Sequence, residues 1–566
     1  MLRNVIRNII YATVLPVVTL FVGLIVSFWL SRLLPGDPVL AYLPPSFSPA
    51  QYNIMVQILG FDKPIIAQFF RYLAELISGD FGISGSINKG QPITLLFLPR
   101  ILNTIEFTIF PIVLGLVAGI LLGMLSVRVR YKLIKLVFQI LIILGISMPL
   151  FFIGMWFQYS LAYQLGLFPA IGDPFLPSTI IFLLTLSLTL RQVRSNYLKK
   201  SEEKHILSNS LHIFFNFGII ITSIILLEAI FNLNGFFSLA FYALQDYWIY
   251  RAFIYILIML SVIILFLSSG VYLLYNYFSG ERQSKIFAKI FGRTEQMVEE
   301  GARYSVSSKQ KFKHYAINRL LSPLAIIGLV IVIFFIILAI FPQILTPLTI
   351  QETLGFYPGS WSPPSPTHPL GQANLGRDVL ALLAYGISTS ILVCIVSVII
   401  GMVIGAQFGY LAKVHRYLKG MVLGFMVILF VIPSIFIILT FVGILGPNVM
   451  ITMSIMTMFT IPGATLLFSR GNYSLAASVK KLVAYFPLFM AFNILLFEAV
   501  AFLGYGDYTL IQLGNNISQA RQHLYDAPWA SLPSGLALYV IVIGFITLHY
   551  GLKEPIPIPL PITKRL

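Results

Sequence analysis

Long apolar runs without charged residues constrain the fold of this chain most. A helix needs about 20 consecutive apolar residues to cross the hydrocarbon core of a bilayer, and windows of that length recur from one end of the sequence to the other. Only 10% of the residues are charged and 58% are hydrophobic, whereas a soluble domain carries about 25% charged residues. The sequence therefore predicts an all-α polytopic membrane protein located in the cell membrane.

Twelve apolar windows are candidate transmembrane helices. The first six are 9–30, 101–127, 133–163, 176–192, 211–231 and 252–276. The second six are 319–346, 384–411, 418–445, 448–468, 481–503 and 533–552. Pro149 in the third window and Pro433 in the ninth predict kinks, because proline removes a backbone hydrogen bond of the helix.

The positive charges predict the orientation of these spans. Lysine and arginine cluster in short connections that fall on one side if there are twelve spans, for example Arg128 to Lys135 and Lys413 to Lys419. Positive charge marks the cytoplasmic side, so we expect both termini to be cytoplasmic and the loops 31–100 and 347–383 to be external. This placement also explains the net charge of +17, which does not form the basic stripe of a nucleic-acid-binding protein.

The two sets of six windows resemble each other. Each set begins with one span and a long external segment, followed by five more spans. Shared features are the glycine pairs Gly119/Gly123 and Gly401/Gly405, the tetrapeptides Arg194-Ser195-Asn196-Tyr197 and Arg470-Gly471-Asn472-Tyr473, and the pairs Glu228-Ala229 and Glu498-Ala499. We expect a first half over 1–276, a basic cytoplasmic linker over 277–318 and a second half over 319–566. In transporters built from repeats, the path lies at the repeat interface.

Several residues have more than one interpretation. The glycine pairs suit close packing of helices. Glu228 and Glu498 either pair with backbone groups near the external membrane surface or, with Pro149 and Pro433, line a translocation path, because carboxylates within spans are costly and often functional. The seven histidines are scattered and the chain has one cysteine, Cys394, so we expect no metal site and no bound cofactor.

A series of short motifs covers nearly the whole chain in a fixed order. The first half contains Pro35-Gly36-Asp37-Pro38, Leu59-Gly60-Phe61-Asp62-Lys63-Pro64, Gly79-Asp80-Phe81-Gly82 and Leu167-Phe168-Pro169-Ala170-Ile171-Gly172. The second half contains His368-Pro369-Leu370-Gly371, Gly376-Arg377-Asp378-Val379-Leu380 and Ala527-Pro528-Trp529. This order resembles the two permease subunits of dipeptide, oligopeptide and nickel ABC importers, fused in one chain.

The resemblance implies two tandem six-helix halves of the type-I ABC importer permease kind. It also implies two cytoplasmic ABC ATPase subunits and an extracellular substrate-binding protein as partners, with the lipid bilayer around the chain. ATP and Mg²⁺ would bind to the ATPases, since the chain has no Gly-x-x-x-x-Gly-Lys-Ser/Thr loop and is not expected to be an enzyme. The substrate would be a peptide or a similar small solute such as an oligosaccharide.

The chain departs from this pattern where the family's permeases dock to the ATPase. The connections after the fourth and tenth spans are short and lack the family's docking motif. Arg194 to Tyr197 and Arg470 to Tyr473 are the candidate coupling residues, although the two arginines are equally well explained as charges of the cytoplasmic side. The alternatives are a non-transporting receptor or scaffold derived from the permease fold, and a secondary transporter. The near absence of charge within the spans argues against the latter.

Overall fold

Helices form the regular secondary structure in the part of the chain that the structure describes. The computed structural model describes residues 2–129, 131–198, 206–278, 322–429, 432–469 and 475–553. Within these ranges, the only β contacts are two isolated bridges, Ile83 with Pro92 and Gln372 with Asp378. The predicted all-α class is confirmed.

Residues 2–278, called the first part below, contain ten helices among the described residues. They are α1 (Leu2–Leu33), α2 (Pro49–Leu59), α3 (Ile65–Ser78), α4 (Ile93–Arg128), α5 (Lys132–Ser147), α6 (Leu150–Phe157), α7 (Phe175–Leu198), α8 (Ile206–Phe231), α9 (Leu239–Ala243) and α10 (Tyr247–Phe278). Residues 322–553, the second part, contain α11 (Pro323–Ile340), α12 (Ile350–Thr353), α13 (Val379–Val414), α14 (Arg416–Leu429), α15 (Ser434–Leu445), α16 (Val449–Ser469), α17 (Leu475–Val500), α18 (Leu513–Gln519) and α19 (Leu532–Lys553). Most of the predicted linker 277–318 lies outside the described residues.

The long helices coincide with the predicted apolar windows. Among the described residues, nine helices are long and apolar enough to cross a membrane, or ten if the bent pair α5–α6 is one span. Two shorter apolar helices, Asn216–Phe231 and Ser434–Leu445, lie in the predicted fifth and ninth windows. The chain is a multi-pass membrane protein, and the count of twelve spans stays a prediction.

Both predicted proline breaks coincide with the start of a helix. The axes of α5 and α6 differ by 91° across the break, and Pro149 directly precedes the first residue of α6. The kink at Pro149 is confirmed. Pro433 likewise precedes α15, after α14 has ended at Leu429.

The helix that contains the second predicted window extends beyond it. Helix α4 begins at Ile93, eight residues before the window 101–127. Ile93, Leu96 and Phe97 in the first turns of this helix are buried. Burial of this apolar face outweighs the weak local preference of the chain, and Pro99 is accommodated inside the helix.

The helix ends form two faces. We call the end that carries residues 34–92, 232–246, 341–378 and 506–531 the loop face, and the other end the opposite face. On the loop face, the buried Asp246 joins segment 34–92 to α10. Its Oδ2 accepts hydrogen bonds from the backbone N–H groups of Gly85 (2.7 Å) and Ser86 (2.9 Å), while its Oδ1 accepts from those of Trp248 and Ile249.

Glycines let two pairs of helices approach closely. A Cβ added to Gly119 would lie 2.9 Å from the carbonyl oxygen of Leu186 in α7. One added to Gly401 would lie equally close to the carbonyl oxygen of Thr457 in α16. Gly123 and Gly405 make similar contacts with the same partner helices. The predicted packing glycines therefore lie at the α4–α7 and α13–α16 contacts, which occupy corresponding positions in the two parts.

Candidate functional site

A cavity of about 220 Å³ lies inside the helix bundle, between the two parts of the chain. Helices α5 to α8 contribute to its wall from the first part, and α16, α17 and the start of α15 contribute from the second. The wall is mainly aliphatic and aromatic, and includes Leu184, Leu226, Met456, Phe459, Phe489 and Phe492. The cavity therefore lies where helices of the first part and of the second part meet.

Two polar side chains of the cavity wall differ in their hydrogen bonding. Asn493 donates hydrogen bonds to the hydroxyl of Thr460 (3.2 Å) and to the carbonyl oxygen of Phe489 (2.9 Å), so its orientation is fixed. Arg191 is the only charged residue among the described residues of the wall. Its Nη1 is buried and has no hydrogen-bond partner among the described residues.

Aromatic contacts between the two parts close the bundle towards the loop face. The rings of Phe151 and Phe502 stack with centroids 4.8 Å apart. Nearby, the ring of Tyr250 stacks on that of Phe436 at 5.6 Å, and its hydroxyl lies 3.3 Å from the hydroxyl oxygen of Thr440. Stacked aromatic pairs add about 0.5–1.5 kcal/mol beyond the burial of their surface. The observed conformation is therefore closed between the cavity and the loop face.

Arg521 adds a polar contact between the two parts. Its Nη2 donates hydrogen bonds to the carbonyl oxygens of Ala229 (3.1 Å) and Ile230 (2.6 Å) in the last turn of α8. The last carbonyl groups of a helix have no partner within the helix and carry partial negative charge. Burial lowers the pKa of the Arg521 guanidinium, but arginine stays protonated in proteins, so a cation of the second part caps a helix of the first part.

Glu228 is buried and accepts hydrogen bonds from the adjoining loop-face segment. Its Oε1 accepts from the hydroxyl of Thr104 in α4 (2.5 Å), and its Oε2 accepts from the backbone N–H of Ser238 (2.6 Å). The Thr104 hydroxyl in turn accepts from the backbone N–H of Phe236. A Cβ on Gly235 would meet the carboxylate at 2.1 Å, so only glycine fits there.

Glu498 makes the corresponding contacts in the second part. Its Oε1 lies 2.5 Å from the hydroxyl of Ser390 in α13, and its Oε2 accepts from the backbone N–H of Gly514 (2.5 Å). In both parts, a glutamate near the end of a span thus joins the next loop-face segment to a helix three spans earlier. This is the backbone pairing that the sequence offered as one interpretation of the two glutamates, and neither of them lines the cavity.

The remaining predicted site residues lie in different parts of the chain's structure or outside its described residues. Pro433 lines the cavity, and Pro149 is flanked by the lining residues Met148 and Leu150. Arg194 is buried rather than displayed on the surface. Ser195, Asn196 and Tyr197 belong to the last turns of α7, and their side chains lie outside the description. Arg470, Gly471, Asn472 and Tyr473 also lie outside the described residues.

No metal site is evident in the part of the chain that the structure describes. Within it, no group of three or more histidine, cysteine, aspartate or glutamate side chains could hold an ion. Cys394 is fully buried in α13. The residues that sequence reasoning missed are Arg191, Asn493 and Arg521, of which Arg191 carried a signal as a charge near the end of an apolar window.

The N-terminal region matches a known family model. Residues 1–89 match the family described as "Binding-prot-dependent transport system membrane comp, N-term". This match covers the first span and most of the first loop-face segment.

Curated transport proteins are similar to a larger portion of the chain. The dipeptide transport system permease protein DppB of Lactococcus lactis is 30% identical over 194 residues, which is 33% of this chain and 63% of the relative. The oligopeptide transport system permease protein AppB of Bacillus subtilis is 30% identical over 148 residues, 26% of this chain and 46% of the relative. The glutathione transport system permease protein GsiC of Escherichia coli is 28% identical over 185 residues, 32% of this chain and 59% of the relative. The chain spans less than two thirds of the length of these relatives.

Proposed function

We propose that this chain is the membrane permease of a binding-protein-dependent ABC transporter, with two permease units fused, and that it forms the path for a peptide or a similar small solute. The observation that carries the proposal is the cavity enclosed by helices of both parts. The distant similarity to peptide and glutathione permeases supports the assignment.

The arrangement of contacts fits alternating access. In this mechanism, a solute enters from one side while the other side is closed. The aromatic contacts Phe151–Phe502 and Tyr250–Phe436 close the loop face, and they would have to separate for entry from that face. The proposal places the loop face outside the cell, where a substrate-binding protein docks, and the opposite face in the cytoplasm.

ATP would be hydrolysed by partner subunits. Two cytoplasmic ATPases would dock near the connections 199–205 and 470–474, which join α7 to α8 and α16 to α17. The Arg194 and Arg470 tetrapeptides flank or overlap these connections. Binding of ATP and Mg²⁺ to the ATPases would shift the two parts relative to each other. This chain would supply the path and no catalytic residue.

The test is purification of the tagged full-length chain from its native membrane. We expect two P-loop ATPases to co-purify in stoichiometric amounts, and vesicles with the purified complex to take up labelled peptide when ATP is supplied. Replacing residues 199–205 with a glycine–serine segment of the same length should remove the ATPases. The same treatment of the exposed residues 44–47 on the loop face should not.

The short connections favour one alternative. Helix α7 ends at Leu198 and α8 begins at Ile206, while α16 ends at Ser469 and α17 begins at Leu475, so little chain remains for a docking surface. A receptor or scaffold that keeps the loop face and has lost the ATPases would have such connections. Co-purification of a binding protein without any ATPase would support that alternative and refute the transporter.

A further inference from the structure

We infer that the cavity binds a solute with an apolar body and one anionic group, and that Arg191 holds the anionic group. This inference rests on the proposed function only in treating the bound solute as the one transported. The binding itself follows from the wall of the cavity.

The wall admits an apolar body. Its described lining residues are mostly aliphatic or aromatic, and none of them is acidic. Its volume of about 220 Å³ is below the range of about 300–1,000 Å³ typical for drug-sized ligands, so the solute is small, on the scale of a dipeptide. Among these described residues, no carboxylate is present to form an ion pair with an ammonium group of the solute.

Arg191 supplies the one charge among the described residues of the wall. It lies three residues before the end of the apolar span that closes at Arg194, and therefore at the opposite-face end of the cavity. As a lining residue, it brings a guanidinium to this end of the cavity. A carboxylate is the group whose geometry best fits a guanidinium.

Further positive charge lies behind the same end of the cavity. The lining residue Tyr485 makes an edge-to-face contact with His549, with ring centroids 4.7 Å apart, and the Nζ atom of Lys553 lies 5.2 Å from the centre of the Tyr485 ring. The two buried glutamates of the spans, Glu228 and Glu498, are engaged near the loop face. The field at the Arg191 end therefore favours an anion.

The test measures binding to the full-length chain in lipid nanodiscs by isothermal titration calorimetry. The probes are N-acetyl-leucyl-leucine, which has a carboxylate, its C-terminal amide, which has none, and N-acetyl-seryl-serine, which has a carboxylate but a polar body. We expect the leucine acid to bind at least about tenfold more tightly than its amide, since a charge-assisted hydrogen bond contributes at least that factor. It should also bind more tightly than the serine acid, because the serine side chains bury less apolar surface against the wall. Equal binding of the leucine acid and its amide would overturn the inference, and this comparison requires no variant.

Variants identify the residue responsible for the preference for the acid over the amide. Arg191→Gln should abolish the preference for the acid over the amide, whereas Arg191→Lys should keep it. Arg128→Gln, at an exposed arginine on the same face, should leave this preference unchanged.

Gly218→Leu tests whether the probes bind in the cavity. It should weaken binding of both leucine probes, because a side chain there enters open space beside the cavity. Binding unaffected by this variant would place the probe elsewhere and refute the site.

The result of this binding test can be distinguished from the result of the co-purification test of the proposed function. Binding to the isolated chain needs no ATPase, so a preference for the acid can be observed whether or not ATPases co-purify. Conversely, co-purified ATPases together with equal binding of acid and amide would reject the anion site and leave the transporter standing.

Discussion

Arg521 lies 2.6 Å from the carbonyl oxygen of Ile230, and this hydrogen bond joins the second part of the chain to the last turn of a first-part helix. The contact lies on the loop face, beyond the aromatic pairs that close the cavity. A cation at a helix C-terminus contributes up to about 2 kcal/mol when partly buried. Arg521 therefore stabilises the conformation in which the loop face is closed.

Replacing Arg521 with glutamine should weaken this closure. We expect the distance between spin labels at the exposed positions Ile171 and Tyr525 to lengthen and its distribution to broaden, as measured by double electron–electron resonance. Arg377→Gln is the matched control, because Arg377 donates to the carbonyl oxygens of Leu354 and Gly355 within its own part. An unchanged distance distribution in the Arg521 variant would show that the aromatic contacts alone close this face.

Replacing Glu228 with glutamine tests whether this residue anchors the loop-face segment or belongs to the path. The glutamine NH₂ group would face either the Thr104 hydroxyl or the Ser238 N–H, and both are donors to the native carboxylate. We expect a loss of about 1–3 kcal/mol in the free energy of unfolding and faster hydrogen–deuterium exchange in residues 232–246. Glu106→Gln, at an exposed glutamate of α4, should change neither quantity. If exchange is unchanged while solute uptake falls, the path interpretation is correct.

The sequence predicted the apolar helices and their order because each needs only a local run of apolar residues. It also predicted the break at Pro149, since the missing N–H is a property of one residue. The extension of α4 back to Ile93 was not predicted, because the burial of Ile93 and Phe97 depends on segments distant in sequence.

The site itself was less predictable. The glycine pairs and the two glutamates were found through their repetition in the two halves. The partners of the glutamates, the Ser238 and Gly514 N–H groups, are backbone atoms that no sequence pattern marks. Arg521 and Arg191 acquire their significance only from tertiary contacts, since in the sequence each is one positive charge among 37.

Replacing Gly401 with alanine should disrupt the contact between α13 and α16. The added Cβ would lie 2.7 Å from the Cβ of Thr460 and 2.9 Å from the carbonyl oxygen of Thr457, so the helices must move apart. We expect a loss of about 1–3 kcal/mol, measured as a lower melting temperature of the purified chain. Gly218→Ala is the control, because a Cβ there meets no atom within 4 Å and alanine favours the helix by roughly 0.5–1 kcal/mol. Equal melting temperatures of the two variants would contradict the close-packing role of Gly401.

Replacing Asp246 with asparagine should release the first loop-face segment from α10. One carboxylate oxygen accepts from the N–H and hydroxyl groups of residues 84–86, and the other accepts from the first N–H groups of α10. The asparagine NH₂ group must face one of these two sets of donors, whichever way the side chain is turned. Either the buried N–H groups of Trp248 and Ile249 or the partly buried donors of residues 84–86 then lose their acceptor, and a buried donor without an acceptor costs about 1–3 kcal/mol. We expect faster cleavage by trypsin at Lys89, which lies in this segment. Asp80→Asn should have a smaller effect, because the Asp80 side chain accepts from the N–H of Gly82 in an exposed turn. A cleavage rate equal to that of the unmodified chain would mean that other contacts of segment 34–92 hold it in place.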